Sequence, residues 1–166
     1  MPLTINGALI RGNELTVRSP RLWQMLQVHL AYSNQSADGF GTINGGLTDF
    51  SPPAGLFALD HDQRTTINTG FDAHFPYEAF ASANLYYGSG FSNGDLGSSH
   101  LPSHAELDLA IGKKFLDRLT VSVTALNVAN KHLLIDNSLT FGGFHYNEPL
   151  QVYAEVRYDF NYGRGH

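Results

Sequence analysis

The sequence predicts an all-β fold: an antiparallel meander of about seven long strands, one part of a transmembrane β-barrel and open when taken alone. Three observations lead there. Apolar and polar residues alternate with a period of two in seven separate stretches. The connections between those stretches alternate between short and long. Charged residues make up only 15% of the chain, against roughly 25% in soluble globular domains.

The stretches run in order. "RGNELTVRS" sets Leu15 and Val17 against Glu14, Thr16 and Arg18. "LQVHLAYSN" sets Leu26, Val28, Leu30 and Tyr32 against Gln27, His29, Ala31 and Ser33. "TTINTGFDAHF" places Ile67, Phe71, Ala73 and Phe75 on one face and Asn68, Asp72 and His74 on the other. "AFASANLYYG" opposes Ala81, Ala83, Leu85 and Tyr87 to Ser82, Asn84 and Tyr86. "HAELDLAIGKKF" opposes Leu107, Leu109 and Ile111 to Glu106, Asp108 and Ala110. "LTVSVTALNVAN" opposes Leu119, Val121 and Val123 to Thr120, Ser122 and Thr124. "LQVYAEVRYDF" opposes Val152, Ala154, Val156 and Tyr158 to Glu155, Arg157 and Asp159. Successive side chains on a strand point to opposite faces, so each stretch has one apolar side. Helical spacing fits none of them better. The strands are roughly 9–12 residues long, the length a tilted strand needs to cross a bilayer.

The short connections are 19–22, 76–78 and 116–118. The long ones are 35–62, 92–103 and 131–149, rich in Gly, Asn, Ser, Asp and Pro. Tight turns on one side and long loops on the other are the pattern of outer-membrane barrels, with the long loops outside. Aromatics cluster near strand ends, at Trp23, Tyr32, Phe75, Tyr87, Phe91, Phe115, Tyr158 and Phe160, where interfacial girdles lie.

The composition excludes several classes. The chain has no Cys, so it has neither a disulfide framework nor thiolate chemistry. Its net charge of -5 and the absence of a basic stripe argue against nucleic acid as a partner. No apolar run approaches a membrane-spanning helix, and the start lacks the layout of a signal peptide.

Three segments resemble the late barrel strands of TonB-dependent outer-membrane receptors. They are "PAGLFALDHDQRTTINTGFDAHFPYEAFASANLYYGSGF", "LPSHAELDLAIGKKFLDRLTVSVTALNVANKHLL" and the closing "LQVYAEVRYDF". The resemblance implies that residues 1–166 are the C-terminal portion of a receptor barrel without its plug domain. It implies barrel wall and extracellular loops serving import of a scarce solute of the siderophore, cobalamin or glycan class, in the outer membrane of a Gram-negative bacterium. Implied partners are outer-membrane lipid, the barrel-assembly machinery, a small-molecule or glycan ligand, and TonB only through N-terminal parts outside this chain. Tyr158 and Phe160 stand where the family's assembly signal lies. Six residues follow Phe160, where many relatives stop, and Arg64-Thr65 replaces the more usual Arg-His.

No catalytic group and no cofactor is expected, and the chain is read as a non-enzyme. "LDHDQR" gathers Asp60, His61, Asp62 and Arg64. A metal reading is set aside, because strand alternation would separate His61 from the two carboxylates and the sequence offers no third ligand at a convincing spacing. Glu106, Asp108, Glu155, Arg157 and Asp159 are expected to face a lumen. Phe40, Phe50, Phe57, Phe141, Phe144 and Tyr146 lie in or beside long loops, and Phe57, Phe141, Phe144 and Tyr146 are the ligand-contact candidates. The alternatives are a small passive or structural outer-membrane barrel and a secreted carbohydrate-binding β-sandwich.

Overall fold

Each alternating stretch becomes a strand in the computed structural model, which describes residues 3–45, 55–93, 99–137 and 143–160. The long strands are β1 (Leu3–Arg18), β2 (Leu26–Gly45), β4 (Thr65–Phe75), β5 (Ala79–Gly88), β8 (His104–Phe115), β9 (Leu119–Leu126) and β12 (Gln151–Tyr158). Short strands lie between them: β3 (Leu56–Ala58), β6 (Ser92–Asn93), β7 (Ser99–His100), β10 (Leu134–Asp136) and β11 (His145–Tyr146). The main sheet runs β1-β2-β4-β5-β8-β9-β12, with β3 added beside β2. Spatial order equals chain order, and every pairing is antiparallel. The sheet does not close, because β1 pairs only with β2 and β12 only with β9.

The registers align the apolar faces of all seven long strands. Val17 stands opposite Leu30, Val28 opposite Phe71, and Phe71 opposite Ala83. The row continues through Ala83–Leu109, Leu109–Ala125 and Ala125–Val152. Directly opposed residues project to the same side, so the period of two is kept across the whole sheet. The other face carries His29, Asn84, Asp108, Thr124 and Tyr153, which the same registers bring together. Lys113 sits on the apolar side at its short-turn end, with Nζ 5.1 Å from the Phe115 ring centre.

Nothing in the described chain covers the apolar face. Leu109 is 43% exposed and Val156 70%. The buried hydrophobic residues are Phe57, Ala73 and Leu101 alone among those described. A β-sandwich would pack a second sheet here at about 10 Å; this sheet is a single layer.

Three turns join the long strands at one end, and each contains two consecutive non-glycine residues with positive φ. These are Trp23 and Gln24, Tyr77 and Glu78, and Leu116 and Asp117. The hairpin turn that matches strand twist requires this left-handed pair. The middle turn is a short 3-10 segment at Pro76–Glu78. At three places an aromatic ring lies over a cross-strand glycine: Phe40 on Gly7, Phe57 on Gly39 and Phe80 on Gly112. The ring covers backbone that glycine leaves bare.

The first long connection is shorter than the sequence suggests. Residues 35–45 do not form a loop but continue β2, and β1 begins at Leu3, well before "RGNELTVRS". The ladder pairs Gly12 with Gln35 and Leu3 with Gly45. Cross-strand bonding overrides the weak strand propensity of "QSADGFGTING".

Candidate functional site

The long connections meet at the end of the sheet opposite the three turns. The His61 N–H donates to the Ser92 carbonyl at 2.8 Å, and the Ser92 N–H to the Asp62 carbonyl at 2.8 Å. The Leu59 N–H reaches the Ala37 carbonyl at 3.0 Å, joining this segment to β2. The third connection joins through Asn93, whose Oδ1 accepts from the Asn137 N–H at 3.2 Å and whose amide donates to Asn137 Oδ1. Apart from glycines, Ala73 and Thr120, every buried residue described lies here: Phe57, Asp62, Gln63, Asn93, Leu101, Asn127 and Asp136. The packed part of the molecule is therefore this rim, and it is mostly polar.

On the polar side of the rim, Tyr86 Oη donates to Gln63 Oε1 at 2.6 Å. The Gln63 amide nitrogen can only donate, so His104 Nε2, at 3.3 Å, accepts. Phe91 stacks on His104 with ring centres 5.4 Å apart, and His61 lies 6.4 Å beyond Phe91. Asn147 donates to Glu106 Oε2 at 2.6 Å. Tyr86, Phe91, His104, Glu106 and Asn147, with Leu133 and Ile135, line a cleft of about 170 Å³. That is below the roughly 300 Å³ at which ligand pockets begin. Deeper on the same face, His29, Asp72, Ser82, Asn84 and Asp108 border a second cleft of about 150 Å³. There His29 Nε2 donates to Asn84 Oδ1 at 3.3 Å.

A larger hollow lies on the opposite side of the sheet. It is an apolar trough of about 530 Å³ between Leu26, Val28, Phe71, Leu85 and Leu107, floored by Thr69, Gly70 and Ala83. It holds no chemistry, and its shape follows from short residues set among long ones.

Residues 59–64 form a turn and not the start of a strand, and His61 has φ +63°. Face alternation therefore does not separate His61 from its neighbours. Asp60 Oδ2 lies 3.2 Å from His61 Nδ1, and Asp136 Oδ2 lies 3.9 Å from His61 Nε2. One donor atom from each of the three residues falls within 4.8 Å of the others. Asp62 turns the other way: its Oδ1 accepts from the Ala37 N–H at 3.2 Å, and Arg64 Nε stands 3.8 Å from its Oδ2.

The sequence-predicted residues separate into groups. Glu106 and Asp108 lie on the polar face, but both are engaged: Glu106 holds Asn147, and Asp108 Oδ1 accepts from the Asn127 N–H at 2.8 Å. Glu155 and Arg157 stand opposite Ser122 and Thr120, and the Asp159 N–H donates to the Arg118 carbonyl at 2.8 Å. Phe57 is buried under the β2–β3 ladder and serves packing. Phe144 and Tyr146 are 68% and 54% exposed, with Tyr146 paired to Leu134. Phe141 and Phe50 lie outside the described residues. Tyr158 and Phe160 meet edge to face, 4.7 Å between centres, at the end of β12. Gln63, Asn93 and Asp136 escape a sequence reading, because their role depends on partners from other connections. Comparison with protein-family models and with curated proteins matched nothing.

Proposed function

We propose that this chain supplies wall and outer loops to an outer-membrane β-barrel of the TonB-dependent receptor type, which imports a scarce solute of the siderophore, cobalamin or glycan class. One observation carries the reading: a single-layer sheet of seven long strands with one continuous apolar face that nothing in the described chain covers. In water such a face is costly at roughly 25 cal/mol per Å². In lipid it is at rest, provided the two open edges find partner strands, because hydrocarbon cannot satisfy unpaired N–H and C=O groups. The opposite face, with His29, Asp72, Asn84, Glu106 and Asp108, then lines the lumen, and the rim clefts face the incoming solute.

The absence of Cys allows a direct test. His132→Cys at the rim and Asp117→Cys at a turn are made singly, and intact cells are treated with an impermeant thiol reagent. His132→Cys is expected to label, and Asp117→Cys only after the outer membrane is opened. Solute uptake is expected to stop when the proton gradient is collapsed. A detergent-free monomer in the soluble fraction overturns the reading.

A further inference from the structure

We propose that Asp60, His61 and Asp136 form a binding site for a borderline divalent cation, zinc being the type case, that clips the 59–64 turn to the β10–β11 hairpin. The donor set is one imidazole and two carboxylates. This combination suits Zn²⁺ and related first-row ions better than Ca²⁺ or Mg²⁺, which take oxygen ligands.

The three residues hold one donor atom each within 4.8 Å of the others. Ligands about 2.0–2.1 Å from a tetrahedral ion lie about 3.3 Å from one another. Asp60 Oδ2 lies 3.2 Å from His61 Nδ1 and Asp136 Oδ2 lies 3.9 Å from His61 Nε2, and one ion would take one of these two ring nitrogens. Rotation of the Asp60 and His61 side chains, 31% and 39% exposed, closes the remainder. Asp136 is the fixed member, with its side chain 4% exposed. His145 is the cross-strand partner of Asp136. The backbone supports the turn as well, since His61 donates its N–H to Ser92 and also to Asp60 Oδ1, at 3.1 Å.

An ion here would join two connections that are far apart in sequence. Release and uptake of the ion would then set how firmly the rim is closed over the clefts. The site stands on this loop cluster alone and holds whether or not the transport reading does.

The test is a Zn²⁺ titration of the purified full chain against a chromophoric chelator, with folding followed by circular dichroism. One Zn²⁺ per chain is expected. His61→Asn keeps a residue that tolerates positive φ, and Asp136→Asn keeps the shape. Each is expected to weaken binding by at least roughly 10–100-fold, while His132→Asn leaves it unchanged. Zn²⁺ is also expected to slow hydrogen exchange in wild type at 59–64 and 134–137 together, which locates the site even if a variant misfolds. Absence of stoichiometric binding, binding indifferent to both variants, or slowed exchange elsewhere only would overturn the proposal.

Discussion

Asn127 shows how much one side chain can hold. It is 1% exposed with φ +49°. Its amide donates to the Lys131 carbonyl at 2.9 Å and to the Glu148 carbonyl at 3.0 Å, and its Oδ1 accepts from the Lys131 N–H at 2.9 Å. Its own N–H goes to Asp108. It thus ties both ends of the third long connection to β8. Asn127→Ala removes three buried bonds and strains a left-handed residue, so a loss of about 3 kcal/mol is expected. Asp108→Ala, which frees one N–H, should cost about 1–2 kcal/mol. Urea midpoints of the two variants would check the ranking; equal midpoints would remove the special role given to Asn127. The sequence shows that Asp108 faces away from Leu109, since period two dictates it. It cannot show what Asp108 bonds, because Asn127 arrives through a different strand. The meeting of His61 with Asp136 is hidden in the same way, across 75 positions of chain.

Among the elements, strands were more legible than turns. The faces of β4, β5, β8, β9 and β12 follow from alternation, and the registers bear them out. The extension of β2 to Gly45 was hidden, because Gly, Ser and Asn read as loop and only β1 makes them strand. The left-handed turn pairs were hidden too, since Trp, Gln, Tyr, Glu and Leu are not residues that favour positive φ, and Asp117 alone of the six tolerates it. Each such residue costs roughly 1–2 kcal/mol in the left-handed region. Replacing Leu116-Asp117 by Asn-Gly should therefore raise stability by about 1 kcal/mol. A fall in the denaturation midpoint would show that the exposed Leu116 side chain makes a contact of its own.

For the whole molecule, the decisive matter is what touches the apolar face. Leu109 and Ala110 are neighbours at one depth on opposite sides of β8. If the face of Leu109 meets lipid, Leu109→Arg should cost about 2–4 kcal/mol and reduce the amount assembled in the membrane. Ala110→Arg points into the cleft beside Asp72 and Asp108 and should be tolerated. Quantifying each variant in the outer-membrane fraction settles the matter; a harmless Leu109→Arg would mean that the face meets water. The identity of spatial and chain order has a further consequence, for the way the sheet is made. Each long strand pairs with the next long strand along the chain, so every closure spans one turn or one connection and none requires threading. Folding can advance hairpin by hairpin from either edge, and a partly formed sheet is already correct in register. A growing sheet of this kind can be lengthened by two strands at its margin without disturbing any pairing that exists.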